Sequence, residues 1–311
     1  MPYVNQLQQY IDIAALSLSL KNNDCWFFSD NQKNYTTLFS IYIKMIEQDE
    51  DEFFTRISDK KKILRSLTRS QAYYSFYHES QFLHTLEQLT VNDPADFLLL
   101  SLEYFKKNTV TGHTYGLFIC KHEKTYSFFL VDKAKIVINS SICVVTIPSE
   151  NLASLCKEFF SDGYRIPVKD PICIFKKITE HSFAEVNELS YILHPQKEGN
   201  CLVKEIEATL KVALFHCRNN LFTSQNIKKV KWNDTPDSSL EMRIRFLSVI
   251  KDIYRKSPQY FDFLSELAKQ RKEATNWDNL TIQTNKEIHH LIKKAFTSRS
   301  LPSRWIKRSY Q

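Results

Sequence analysis

The spacing of apolar residues changes twice along this chain, and each change constrains the fold. Residues 4 to about 107 place apolar residues three and four positions apart, which puts them on one face of an α-helix. Within the last helical stretch, Asp93 is a candidate N-cap and Pro94 takes the first helical position. The pattern predicts helices in four stretches: VNQLQQYIDIAALSLSL, YTTLFSIYIKMIEQ, SFYHESQFLHTLEQL and DPADFLLLSLEYFKKN.

The spacing then becomes two, which is typical of β-strands. HTYGLFIC (113–120) and TYSFFLVD (125–132) are rich in β-branched and aromatic residues and flank the polar KHEK. IVINSSICVVTI predicts one or two further strands, DPICIFKKI predicts another, and PSENLASLCKEFFSDG predicts a short helix. Several strands are apolar on both faces, so we expect the sheet to be covered on both sides.

Helical spacing returns after Asn200, with helices predicted at about 201–219, 238–256, 258–273 and 284–298. The whole pattern predicts an α+β fold with a small, mostly antiparallel sheet wrapped by helices. We predict three regions: an N-terminal helical region (1–107), a core with the sheet and a central helix (108–220), and a basic helical region (221–311).

Composition argues against several classes of protein. The chain is 43% hydrophobic and 25% charged, as in soluble globular proteins, and no apolar run approaches the ~18 residues of a membrane span. MPYVNQLQQYID lacks the basic and apolar segments of a secretory signal. Seven cysteines without a CxxC pair argue against a disulfide framework or a zinc ribbon. These features predict a reducing, cytoplasmic compartment, no metal site and no cofactor.

Glycine is scarce and unevenly placed. The chain has only four glycines, and three of them lie within three residues of His113 or Cys201: Gly112, Gly116 and Gly199. Glycine is favoured where the backbone needs positive φ or where another group must approach closely. The clustering therefore draws attention to His113 and Cys201, although ordinary turns would also account for it.

A β-hairpin would bring His113 next to an acidic residue. A loop of two or four residues centred between His122 and Glu123 pairs residues whose numbers sum to 245, so His113 faces Asp132. Directly opposed residues share one face of the sheet, with Cβ atoms about 5 Å apart. We therefore predict a hydrogen bond that orients the imidazole and stabilises its protonated form.

Cys201 is the cysteine best placed to act as a nucleophile. It begins a predicted helix, where unsatisfied N–H groups and the helix dipole stabilise a thiolate. Gly199 and Asn200 supply a turn with exposed N–H groups for an oxyanion, and Gln196 could add a side-chain amide. His194 is a fallback base.

The alternative for Cys201 is a buried structural thiol, which is the usual state of a cysteine. The other six cysteines fit that description better. They lie in apolar strand patterns, inside helices or beside WFF: Cys120, Cys143, Cys173, Cys156, Cys217 and Cys25.

The order His113, Asp132, Gln196, Cys201 resembles that of the adenoviral-proteinase and SUMO-deconjugating cysteine proteases (clan CE) and of related bacterial effectors. The resemblance covers about residues 100–220 and implies a papain-like core. It also implies roles: His113 is the general base, Asp132 the orienting acid, Gln196 the oxyanion glutamine and Cys201 the nucleophile. Thr114 stands where that family usually has an aromatic residue, and Leu202 where it usually has glycine.

The resemblance implies a cysteine protease, such as a deubiquitinase-like bacterial effector, acting on a host protein or a ubiquitin-like conjugate. An effector of this kind enters the host cell without a Sec signal. Two alternatives stay open: an acetyltransferase with the same triad, and an inactive interaction scaffold.

Charge adds a second expectation about partners. Residues 201–311 carry 21 Lys and Arg against 11 Asp and Glu, a balance of +10. This excess suits an acidic protein or an anionic membrane surface, although solvated helices explain it as well. No nucleic-acid-binding motif is present, so nucleic acid is not an expected partner.

Overall fold

A computed structural model describes residues 9–10, 13–14, 16–17, 31–105, 112–135, 138–160, 171–193, 201–222, 228–235 and 238–254. Contacts divide the chain into two compact units. The larger unit is Asp24–Asn233, and the smaller one combines Met1–Asn23 with Asp234–Gln311. The three functional regions expected from the sequence stay a prediction.

The larger unit carries most of the described elements. Its helices are α1 (Asn31–Glu47), α2 (Ile57–Tyr73), α3 (Glu79–Glu87), α4 (Leu152–Phe160), α5 (Pro171–Glu180) and α6 (Cys201–Asn219). A 3₁₀ turn, Ser149–Asn151, precedes α4. Its strands are β1 (Leu98–Phe105), β2 (Gly112–Lys121), β3 (Thr125–Val131), β4 (Ile142–Pro148), β5 (Asn187–Glu188), β6 (Tyr191–Ile192) and β7 (Lys228–Lys229).

The first five strands form one antiparallel sheet in the order β1-β2-β3-β4-β5, and β6 pairs with β7 in a separate parallel ladder. The predicted α+β class with a small antiparallel sheet is therefore confirmed. Six consecutive residues of β3, from Tyr126 to Val131, are buried. Because successive side chains in a strand point to opposite faces, the sheet is covered on both sides as expected.

In the smaller unit, α7 spans Ser238–Tyr254, close to the predicted 238–256. The described residues of the first predicted helix (9–10, 13–14 and 16–17) are helical. The helices predicted at 258–273 and 284–298 lie outside the described residues. Across the described part of the chain, none of the helices combines the length and the apolar character needed to cross a membrane.

The prediction of a helix in DPADFLLLSLEYFKKN was wrong, because Leu98–Phe105 forms β1. Three adjacent leucines, Leu98 to Leu100, are fully buried there. A segment that is apolar on every side has no single helical face, and a strand between two covering layers accommodates it. Asp93 accepts a hydrogen bond from the Ala95 N–H in a turn rather than capping a helix.

The prediction of a strand in DPICIFKKI was also wrong, because Pro171–Glu180 forms α5. Pro171 occupies the first helical position, where its missing N–H costs nothing. Ile174 and Ile178, four residues apart, are both buried. This spacing puts them on one helical face.

Helix α2 covers the outer edge of β1. The N–H groups of Phe97, Leu99 and Ser101 point away from β2, and their hydrogen bonds are accepted by two α2 side chains and by the residue that directly follows α2. The acceptors are Ser66 Oγ (3.0 Å), Ser70 Oγ (2.8 Å) and Tyr74 OH (3.0 Å), spaced four residues apart. A row at this spacing follows one helical face and satisfies the donors that an edge strand leaves unpaired.

Helix α6 is the central helix of the sheet-containing core. It begins at Cys201 as predicted and packs against β1, β2 and β3. Its buried side chains extend around nearly the whole helix, including the charged Lys204 and Glu205. Lys204 is paired with Glu207 at 2.9 Å.

Candidate active site

His113 lies near the start of β2, and its ring is in contact with Asp132. The distance from His113 Nε2 to Asp132 Oδ1 is 3.0 Å, and both side chains are buried. The predicted hydrogen bond is therefore present.

The predicted register was wrong by two residues. Paired residues of β2 and β3 sum to 247, so Cys120 faces Ser127 and Gly116 faces Val131. The loop has an even length, as expected, but it is centred one position later, between Glu123 and Lys124. Because side chains alternate with a period of two, an even shift keeps His113 and Asp132 on the same face as a diagonal pair.

The backbone around Asp132 holds its carboxylate in place. Asp132 directly follows β3, and its N–H donates to the Ser141 carbonyl at 3.1 Å. Oδ1 also accepts the Ala134 N–H at 3.1 Å. The carboxylate is therefore oriented by its own turn as well as by His113.

Cys201 is the second partner of the imidazole. Its thiol is hydrogen-bonded to His113, and its side chain is buried, with 4% of the residue exposed. Because Nε2 is engaged by Asp132, Nδ1 is the ring nitrogen left to face the thiol. Burial disfavours the imidazolium, but the hydrogen bonds and negative charges of Asp132 and Cys201 raise the pKa of His113 to about 10.

Gly116 permits the close crossing of α6 over β2. A Cβ atom at position 116 would lie 1.6 Å from Thr209 Oγ1 and 2.6 Å from Thr209 Cβ. Only glycine leaves room for the helix there. Gly116, one of the glycines near His113, therefore allows α6 to approach β2 closely. This approach sets the distance between Cys201 and the sheet.

Glu205 is a fourth polar residue of the site, and the sequence reasoning missed it. It lies one helical turn after Cys201, and its residue exposure is 0%. Oε2 accepts the Lys133 N–H at 3.0 Å, while Oε1 has no hydrogen-bond partner among the described residues. Burial raises the pKa of Glu205 to about 7, against the opposing effect of the Lys133 N–H and charge and of His113. The four-residue spacing from Cys201 was the available signal, since it places both side chains on one face.

Three of these groups have the chemistry of metal ligands. Ligand atoms of His113, Asp132 and Glu205 all lie within 4.8 Å of one another. The sequence analysis had predicted no metal site.

Gln196, Gly199 and Asn200 lie outside the described residues, as does the fallback base His194. Their arrangement around Cys201 stays a prediction.

The other described thiols differ from Cys201 in their surroundings. Burial raises the pKa of Cys143, Cys156 and Cys217 to about 12, and that of Cys120 well above its usual value. Among these four, none is hydrogen-bonded to an imidazole in the described part of the chain. Cys120, Cys143 and Cys156 are buried, as expected of small hydrophobes, whereas Cys217 is half-buried and its thiol donates to the Pro94 carbonyl at 3.1 Å.

A scan against protein-family models found no match, and a search of curated proteins found none either.

Proposed function

We propose that this protein is a cysteine protease of the clan CE type that cleaves a protein substrate. The observation that carries the proposal is the chain of contacts from Cys201 through the His113 imidazole to Asp132. A thiol next to an imidazole that is itself held by a carboxylate is the arrangement that nucleophilic acyl transfer requires. The order of these residues along the chain and their positions on the elements add to this support.

The reaction begins when His113 Nδ1 takes the proton of the Cys201 thiol. The thiolate attacks the scissile carbonyl carbon and forms a C–S bond, and the carbonyl oxygen becomes an oxyanion. The first N–H groups of α6 have no intrahelical acceptor and can donate to that oxyanion. Gln196, Gly199 and Asn200 are proposed to contribute further donors.

The tetrahedral intermediate collapses when the C–N bond breaks and His113 returns its proton to the leaving amine. Water then attacks the thioester, and His113 accepts a proton from that water. Loss of the Cys201 sulfur as leaving group releases the acid product. Asp132 holds the imidazole throughout and stabilises its protonated form.

The burial of Cys201 restricts how a substrate reaches it. With only 4% of the residue exposed, a substrate has to present a narrow, extended peptide segment to the thiol rather than a folded surface. The extended C-terminal tail of a ubiquitin-like conjugate has this shape. We therefore propose ubiquitin-like conjugates as the substrate class, and, on the resemblance, a bacterial effector acting on host proteins.

A panel of ubiquitin-type activity probes tests this function. We expect a covalent adduct with the full chain that disappears in Cys201→Ala. Cys217→Ala is the matched control, because it removes a thiol from the other end of the same helix, and its adduct should persist. An adduct that survives Cys201→Ala would contradict the proposal.

The same samples separate the alternatives. An acetyl adduct on Cys201 from a thioester acetyl donor, seen by intact mass without peptide cleavage, would favour the acetyltransferase. Iodoacetamide labelling of Cys201 no faster than that of a small reference thiol would favour the inactive scaffold.

A further inference from the structure

We infer that His113, Asp132 and Glu205 form a binding site for a transition-metal dication such as Zn²⁺, and that the bound ion turns off the thiol chemistry. The second part of this inference rests on the proposed function. The first part does not, because it requires no reaction at Cys201.

The three ligand groups are close enough to share one ion. Their ligand atoms lie within 4.8 Å of one another, and His113 Nε2 and Asp132 Oδ1 are 3.0 Å apart. Nitrogen and oxygen donors lie about 2.0–2.1 Å from zinc, so neighbouring donors of a tetrahedral site are about 3.3 Å apart. His113 Nε2 and Asp132 Oδ1 already have nearly that spacing. Rotation of the Glu205 side chain has to bring its carboxylate oxygen to the same spacing from these two atoms.

Glu205 supplies an independent indication that the site binds a cation. Its side chain is completely buried, and the Lys133 N–H fixes Oε2. Oε1 finds no hydrogen-bond donor among the described residues, although buried polar atoms are nearly always paired. A cation beside Oε1 would satisfy this oxygen.

The ligand set favours a transition metal over magnesium or calcium. Mg²⁺ and Ca²⁺ prefer sites made entirely of oxygen, whereas an imidazole nitrogen suits zinc. Two carboxylates and a neutral imidazole give a net charge of −2, which a dication balances. Three protein ligands leave a fourth position of a zinc ion for water.

A metal on this side of the ring removes the base from the thiol. With Nε2 bound to the ion, the only place for the ring proton is Nδ1, which faces Cys201. The imidazole then cannot accept the thiol proton, so metal binding and thiol activation exclude each other. Cys201 is not a ligand in this arrangement, because its sulfur is not among the ligand atoms that lie within 4.8 Å of one another.

Competition with a fluorescent zinc indicator tests the site, using the full chain in reduced, metal-free form. Because the ligands are buried, samples are equilibrated overnight. We expect one Zn²⁺ per chain, with equal affinity for the wild type and Cys201→Ser. Glu205→Gln keeps the side-chain volume but removes the charged ligand, and should weaken binding at least about tenfold. Glu123→Gln, an exposed change of the same kind in the β2–β3 loop, should leave the affinity unchanged.

Two further measurements complete the test. Co²⁺ bound to the wild type should lack a thiolate charge-transfer band, and saturating Zn²⁺ should slow alkylation of Cys201 in the wild type. No Zn²⁺ binding by the wild type, equal binding by Glu205→Gln, loss of binding in Cys201→Ser, or a thiolate band with Co²⁺ would each overturn the inference. If Glu205→Gln unfolds, the Co²⁺ spectrum of the wild type decides. Zinc binding by Cys201→Ser does not depend on a reaction with the activity probes. The metal site and the proposed function can therefore be refuted independently.

Discussion

At the residue scale, the proposed function assigns the charge of Asp132 the role of making the imidazole an effective partner for the thiol. Asp132→Asn keeps the shape and the Oδ1 acceptor but removes that charge, which lowers the pKa of His113 and with it the ability of the imidazole to hold the thiol proton. We expect alkylation of Cys201 by iodoacetamide at neutral pH to slow by about tenfold or more.

Asp93→Asn is the matched control for this change. Asp93 Oδ1 accepts the N–H of the residue two positions later at 3.0 Å, just as Asp132 Oδ1 does at 3.1 Å. Its substitution should leave the alkylation rate unchanged. An unaltered rate in Asp132→Asn would mean that His113 does not depend on Asp132.

His216 should make the protein acid-labile. Burial, with a smaller contribution from His122, lowers its pKa to about 4, and Nδ1 accepts the Leu221 N–H at 3.1 Å. Between pH 6.5 and 4 the unfolded chain binds the proton that the folded chain excludes, so stability falls as pH falls. The loss from pH 7 to pH 4 is about 3 kcal/mol. Below about pH 3 this contribution no longer changes, because both states then carry the proton.

Urea unfolding of wild type and His216→Asn at pH 7 and pH 4 isolates this contribution. Asparagine retains an acceptor near the position of Nδ1 but does not titrate. The wild type should therefore lose about 3 kcal/mol more than the variant between the two pH values. Equal losses of stability in the two proteins would show that folding does not lower the pKa of His216.

At this scale the sequence predicted the His113–Asp132–Cys201 contacts but not Glu205. Hairpin geometry limits which residues can meet His113, and a helix start is recognisable from its flanking residues. Glu205 lies within CLVKEIEATL, where a glutamate ordinarily faces solvent, and only the burial of α6 on nearly every side turns it inward.

At the element scale, Gly116 controls how closely α6 approaches the sheet. Gly116→Ala places a methyl group 1.6 Å from Thr209 Oγ1, so the helix has to shift. We expect a loss of stability of about 1–3 kcal/mol, typical of overpacking, and slower alkylation of Cys201 because the thiol moves away from His113. Thermal unfolding and the alkylation rate measure the two effects.

The double variant Gly116→Ala with Thr209→Gly tests the cause. It moves the small residue from the strand to the helix and relieves the clash, at a cost of about 1 kcal/mol for glycine inside a helix. The alkylation rate should recover at least in part. A single variant as reactive as the wild type would show that the crossing does not position the thiol.

The hydrogen-bond acceptors along α2 lead to a second prediction, about the edge of β1. Ser70→Ala leaves the buried Leu99 N–H without its acceptor at 2.8 Å, which should lower the free energy of unfolding by about 1–3 kcal/mol. Thr68→Ala on the same helix removes only an exposed bond to the Leu64 carbonyl and should change stability by less than about 0.5 kcal/mol. Urea unfolding compares them. Equal effects would mean that α2 does not protect the edge of β1.

Helices and strands were predicted correctly where the sequence delimits the segment clearly, and incorrectly where a short apolar segment fits both helical and strand spacing. Helix α6 and strands β2 to β4 were found, because turns or long periodic runs delimit them. The apolar run around Leu98–Leu100 fits both helical and strand spacing. Only the backbone N–H groups that donate to the side chains along one face of α2 and its C-terminal end distinguish the strand from a helix. The short α5 likewise has too few residues for its four-residue spacing to be distinguished from alternation.

At the scale of the whole molecule, every described member of the site belongs to one compact unit. His113, Asp132, Cys201 and Glu205 all lie within Asp24–Asn233, together with the complete five-stranded sheet and helices α1 to α6. A unit of this length is large enough to bury its own hydrophobic core.

We therefore expect residues 24–233, expressed alone, to fold cooperatively and to keep the thiol chemistry of the full chain. The alkylation rate of Cys201 should agree with that of the full chain within about twofold, since a rate ratio of two corresponds to only about 0.4 kcal/mol. Circular dichroism during thermal unfolding tests cooperativity, and Asp132→Asn in the shortened chain should reproduce the slower alkylation. A shortened chain that melts without a cooperative transition would show that the core needs the other unit. A folded chain with an unreactive Cys201 would show that residues outside 24–233 complete the site.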